Sequence, residues 1–76
     1  MHDPIPDWAT AQLRAIGLQI RDARKGAGLS QVALGERIGR DHKTISRWEN
    51  GHRIPSLIDL IRIAHALDIP LADLVR

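Results

Sequence analysis

At 76 residues the chain has room for one small domain, and without cysteine it has neither disulfides nor thiolate metal sites to staple it. A composition of 43% hydrophobic and 26% charged residues excludes a disordered chain, and with Trp8 and Trp48 as the only aromatics the core must come from Leu, Ile, Val and Ala. The net charge is only +2, but residues 21–53 hold eight Lys and Arg against four Asp and Glu, whereas the remainder holds three against five; a basic centre sits between acidic flanks.

Met1 to Pro6, with two prolines, reads as an irregular arm. The arm is expected over residues 1–7 and one domain over 8–76. Asp7 is placed to cap a first helix starting at Trp8. Along that helix Leu13, Ile16, Ile20, Ala23 and Ala27 recur in three- and four-residue steps, ended by Gly26-Ala27-Gly28. Ser30 caps a second helix running through Ile38, and Gly39 supplies a tight or left-handed turn that a side chain would obstruct. Asp41 caps a third helix running to Asn50 and stopped by Gly51.

After the loop His52-Arg53-Ile54-Pro55, Ser56 caps a fourth helix whose stripe is Leu57, Leu60, Ile63, Ala64 and Leu67. Ile69-Pro70 breaks the chain, and Leu71, Leu74 and Val75 fit a short fifth helix. The pattern is all-α, with no strand signal, repeat or low-complexity segment. No apolar run reaches membrane-spanning length and the acidic N-terminus does not resemble a signal peptide, so a cytoplasmic location is the default and no membrane partner is expected.

The segment from Leu29 to Gly51 carries the functional signal. Leu34, Gly35, Ile38, Gly39, Ile45 and Trp48 are apolar or small at positions that let two helices cross closely. On the other side of the third helix lie His42, Lys43, Ser46 and Arg47, paired at spacings of four and therefore on one face. This is the layout of a helix-turn-helix that reads the DNA major groove. Arg47, with its planar fork, suits the guanine edge better than Lys43, while His42 and Ser46 donate or accept and leave the preferred base open. Gln31 stands at a helix N-terminus, where free N–H groups and the helix dipole attract a phosphate.

The motifs IRDARKGAGLSQ, LGERIG, TISRWENG, IPSLIDLIRIAHAL and IPLADLV occur in the order found in the Xre/Cro, or lambda-repressor-like, helix-turn-helix family, and from Ile16 to Val75 the chain closely resembles it. The resemblance implies a compact five-helix DNA-binding domain with the helix-turn-helix at helices two and three, here with an extended first helix. It implies base readout by His42, Lys43, Ser46 and Arg47, and phosphate contacts by Gln31, Arg40, Thr44, Asn50, His52 and Arg53. It also implies that Gln31 braces the recognition helix and that Arg24 and Glu49 form an ion pair between helices one and three. Ala23 stands where a larger aliphatic is common and Gly35 where Ala is frequent, and residues before Ile16 fall outside the pattern.

The expected partner is double-stranded DNA with a palindromic operator, bound by a homodimer acting as a transcriptional regulator, chiefly a repressor. Ile58 and Ile61 form a second apolar stripe on helix four that calls for a partner, either Trp8 and Leu13 of the same chain or a second molecule. The alternative is an antitoxin-like interaction module whose DNA binding serves only autoregulation. Trp8 either covers the end of the core or belongs to an interface. No enzyme, cofactor or metal is expected, because His2, His42, His52 and His65 lack ligand spacing with acidic partners, and Asp59, Asp68 and Asp73 read as cap or surface positions.

Overall fold

Short polar residues start three of the helices in the computed structural model, which describes residues 4–76. Among the described residues there are five helices and no strand: α1 (Asp7–Gly26), α2 (Gln31–Ile38), α3 (His42–Glu49), α4 (Leu57–Leu67) and α5 (Ala72–Val75). The Ser30 hydroxyl accepts from the Ala33 N–H at 3.0 Å, and the Asp41 carboxylate accepts from the Thr44 N–H at 2.8 Å. Ser56 and Asp59 form a reciprocal capping box, with the Asp59 N–H donating to Ser56 Oγ at 3.1 Å and the Ser56 N–H donating to Asp59 Oδ2 at 3.2 Å. Each such cap contributes about 1 kcal/mol. Gly39 ends α2 in the left-handed region, with φ 74° and ψ 33°.

The start of α1 differs from expectation. The helix begins on Asp7 with Pro6 at the N-cap, and no side chain caps it. Asp7 instead sits in the first turn, where its charge complements the exposed N–H groups. Pro4–Pro6 carry no regular structure and are exposed, while residues 1–3 of the expected arm, with His2, lie outside the described residues.

One side chain from each helix forms the centre of the core: Ile20, Leu34, Ile45, Ile63 and Leu74 are fully buried. Ile38, Trp48, Leu60, Ala64 and Leu67 close around them. Burying each large aliphatic contributes roughly 1.5–3 kcal/mol against the entropy of ordering. Trp48 therefore packs rather than stacks on a base.

Two expected core positions are not in the core. Ala27 is exposed because α1 has already ended at Gly26. Leu57 is 64% exposed: three-residue steps drift by roughly 60° each, so the first residue of α4 has turned away from the face that Ile63 buries. Trp8 is 76% exposed and does not cover the core's end.

Two glycines set how closely the recognition unit is held. A Cβ on Gly17 would collide with the Trp48 carbonyl oxygen and lie 2.8 Å from that of Glu49, so the backbone of α3 rests directly on α1. A Cβ on Gly35 would collide with the Arg40 carbonyl oxygen, so α2 and the turn leading into α3 also touch backbone to backbone.

Candidate nucleic-acid interface

α3 divides sharply into two faces. Ile45, Trp48 and Glu49 are buried, while His42, Lys43 and Arg47 are exposed and make no side-chain hydrogen bond or ion pair among the described residues. Two short caps hold the helix at its ends. At the N-terminus, hydrogen bonding from Thr44, first from its backbone and then from its side chain, keeps the Asp41 carboxyl below the ordinary carboxylate range. At the C-terminus the Asn50 amide donates to the Ser46 carbonyl at 2.8 Å and to Ser46 Oγ at 3.3 Å. Ser46 is half-buried and already engaged, so the three cationic or titratable side chains beside it dominate the exposed face.

A buried ion pair anchors the C-terminal end of α3. Arg24 Nε donates to Glu49 Oε2 at 2.7 Å and Nη2 to Oε1 at 2.9 Å, with side-chain exposures of 9% and 2%. The remaining Arg24 nitrogen donates to the Leu29 carbonyl at 2.8 Å, and Gln31 Nε2 donates to Glu49 Oε1 at 3.2 Å. The hydrogen bond to Glu49 raises the Arg24 pKa above its ordinary value in spite of burial. Each nitrogen of Arg24 and each oxygen of Glu49 therefore has a hydrogen-bond partner, which favours toleration of a buried pair. Gln31 is half-buried and braces the recognition helix as expected. Beside it, Arg21, Arg24, Gln31, Glu49 and Asn50 line a polar cleft of about 240 Å³.

A second ion pair holds the N-terminal end, and sequence patterns did not reveal it. Arg40 donates from Nε at 3.2 Å and from Nη2 at 2.9 Å to the same oxygen of Asp59, whose other oxygen accepts from the Ser56 hydroxyl at 2.8 Å. Burial pushes the Asp59 carboxyl up, but the bonds from Ser56 and Arg40 outweigh it and hold the group below its ordinary range. Of the two roles expected for it, Asp59 takes the cap and is buried there, and Arg40 is tied to α4 while 42% of its side chain remains exposed. The Ser56-x-x-Asp59 spacing is the one signal that could have suggested the capping box. Arg40, Thr44, Arg53, Ser56 and Asp59 line a cleft of about 280 Å³ between the turn, α3 and the following loop. His52 and Arg53 are exposed in that loop, and both backbone N–H groups donate to the Arg47 carbonyl, at 2.9 and 3.3 Å.

The expected partner surface is not assembled as one patch. Trp8 and Leu13 point roughly 140° apart around α1, five residues at 100° each, so they cannot share a face. Leu13 is half-buried. Ile58 and Ile61 are 51% and 43% exposed, with Ile61 beside Arg37, Ile38, Arg62, His65 and Ala66 along an open groove. No helix among the described residues is long and apolar enough to cross a membrane.

Residues 20–74 match the helix-turn-helix family HTH_3. An uncharacterized HTH-type transcriptional regulator of Methanothermobacter thermautotrophicus is 50% identical over 48 residues, which cover 63% of this chain and 70% of that protein. The crystal structure of the restriction-modification controller protein C.AhdI from Aeromonas hydrophila superposes with a TM-score of 0.81 at 36% identity, covering 84% of this chain and 97% of that one. The hydroxypropylphosphonic acid epoxidase of S. wedmorenis superposes equally well, TM-score 0.81 at 26% identity, but the likeness covers 88% of this chain and only 36% of the epoxidase.

Proposed function

The chain belongs to the helix-turn-helix family, and on that premise we propose that it is a sequence-specific regulator of transcription that reads double-stranded DNA by laying α3 in the major groove. The observation that carries this reading is the division of α3. A buried side packed on the core presents His42, Lys43 and Arg47 outward, with no side-chain partner among the described residues. Arg47 and Lys43 supply donors for guanine O6 and N7, while His42 and Ser46 read adjacent edges. Gln31 and Asn50 in one cleft, and Arg40, Thr44 and Arg53 in the other, with His52 in the adjoining loop, hold the phosphates on either side of the groove and set register. Arg24 and Glu49 are structural.

In this reading residues 8–76 act as one cytoplasmic domain that represses by occupying a palindromic operator as a dimer. It is a binding protein and not an enzyme: the likeness to the epoxidase spans about a third of that protein and transfers the fold, not the chemistry. The exposed Ile58 and Ile61 favour a second reading, in which an antitoxin-like module holds a protein partner on α4 and binds DNA for autoregulation.

Selection from a random DNA pool at physiological salt, with wild type beside a Lys43→Ala, Arg47→Ala double variant, tests the proposal. A two-fold symmetric motif enriched by wild type and lost in the variant supports it. Weak, salt-sensitive binding with no enriched motif would overturn it.

A further inference from the structure

Arg40 stands in the turn between α2 and α3, yet both its main chain and its side chain are held. Its N–H donates to the Gly35 carbonyl at 2.9 Å, and its own carbonyl oxygen lies where a Cβ on Gly35 would stand, so α2 fixes the backbone. Asp59 fixes the side chain, and Asp59 is itself immobile. Its Oδ2 accepts from the Ser56 N–H and hydroxyl, while Oδ1 accepts from Arg40 Nε and Nη2. Both oxygens are thus committed, in a carboxylate buried at the start of α4.

The contact is one-sided. In the Arg24–Glu49 pair two nitrogens meet two oxygens, whereas Arg40 applies Nε and Nη2 to a single oxygen. Its Nη1 makes no hydrogen bond among the described residues, and the side chain remains partly exposed. A donor is therefore left over on an arginine whose orientation is already set.

The place of this donor matters. Arg40 lines the same cleft as Thr44 and Arg53. Thr44 is three residues from Arg47, roughly 60° around α3, so the cleft borders the exposed face that carries Lys43 and Arg47. Among the described residues lining it, Arg40 and Arg53 are cations and Asp59 is the one acid. The neighbouring Asp41 is turned onto the Thr44 N–H as the cap of α3 and does not line the cleft. An excess of positive charge remains for an anion. A free arginine loses rotamer freedom when it clamps a phosphate. One already held by a buried carboxylate has lost that freedom on folding, so less is lost on binding.

We propose that Asp59 is a positioning residue for DNA recognition, which from the α4 capping box aims Arg40 so that the free edge of its guanidinium meets a phosphate diester beside the reading face. The inference rests on the function proposed above, in which Arg40 holds a phosphate, and adds that this contact depends on α4. Asp59 thereby contributes to affinity without touching DNA.

Fluorescence anisotropy on the duplex enriched by wild type, with Arg40→Ala, Asp59→Ala and the two combined, gives a double-mutant cycle. Asp59→Ala should weaken binding about two- to tenfold, the range set by ordering one long side chain. The same change should cost nothing in the Arg40→Ala background. Asp59→Asn keeps the shape and can still accept a hydrogen bond, so it should lie between, and it answers in place of Asp59→Ala if that variant does not fold. Ile63→Val, which weakens the seating of α4 in the core away from the cleft, should bind like wild type. Methylphosphonate substitution of one phosphate at a time gives a readout that a general loosening of α4 would not move. One position should weaken wild type and leave Arg40→Ala and Asp59→Ala unaffected, while the remaining contacted positions weaken all three alike. Asp59 variants that bind as tightly as wild type or more tightly, or that lose as much with Arg40 absent, overturn the proposal and leave the DNA reading standing. If wild type enriches no motif at all, the DNA reading fails first and the positioning role falls with it.

Discussion

Arg24 and Glu49 meet as a two-point ion pair, Nε to Oε2 at 2.7 Å and Nη2 to Oε1 at 2.9 Å, sealed between α1 and the end of α3. With side chains only 9% and 2% exposed, neither charge has water to fall back on. Glu49→Ala should therefore cost about 3–5 kcal/mol, the penalty of leaving the partner charge buried and alone. Denaturant unfolding of the single variant and of Glu49→Ala combined with Arg24→Met measures it. The double variant should recover a large part of the loss.

Substituting Gly17 should go against helix propensity. Alanine is ordinarily favoured over glycine inside a helix by about 0.8–1 kcal/mol. At Gly17, however, the added methyl meets the carbonyl oxygens of Trp48 and Glu49, which are backbone and cannot swing aside. Gly17→Ala is expected to destabilise by roughly 1–3 kcal/mol through overpacking. Gly26→Ala, with nothing within 4 Å of the new atom, should be neutral or slightly stabilising. Thermal melts of the two variants side by side decide the matter.

The Asp59 carboxyl is held below its ordinary value by Ser56 and Arg40 against the opposing effect of burial. A carboxyl depressed in the folded state adds stability that is present above its unfolded value and disappears as pH falls through the folded one. Asp59→Asn should thus be less stable than wild type at neutral pH, and the difference should shrink on acidification below the usual carboxylate range. Urea midpoints collected from neutral to strongly acid pH would show the two curves converging. A constant gap would mean that Asp59 stabilises by shape and not by charge.

Base readers and phosphate contacts should respond differently to salt. Arg47→Ala is expected to cost about 1–3 kcal/mol on the preferred site and to relax selectivity at one base position. Arg53→Ala should weaken binding to all sequences alike and lower the salt-dependence slope by about one. Fluorescence anisotropy on cognate and scrambled duplexes across a salt series separates them. Equal loss on both duplexes for Arg47→Ala would remove it from the reading face.

Local signals explain what could be read in advance. The caps at Ser30, Asp41 and Ser56 and the left-handed turn at Gly39 depend on a few consecutive residues, and all four take the expected form. The Arg24–Glu49 pair, 25 residues apart, was anticipated from family resemblance and not from spacing. Arg40 and Asp59 are 19 residues apart on elements with no shared periodicity, and each has a reasonable local role, as phosphate contact and as cap or surface acid. Leu57 and Ala27 depart from the expected stripe for a different reason. Both extended a good stripe by one step, past the point where the helix faces the core or still exists.

By itself the sequence determined five helices, their order, the turn between α2 and α3 and the polar side of the recognition helix, because capping and the 3.6-residue repeat act over one or two turns. The tertiary structure decided which side chains of that polar region remain free. Packing α1 onto α3 at Gly17 and tying Arg40 to Asp59 are long-range contacts, available only once the helices are assembled. They leave His42, Lys43 and Arg47 unpartnered among the described residues, and they leave Trp8 facing solvent on the far side of α1.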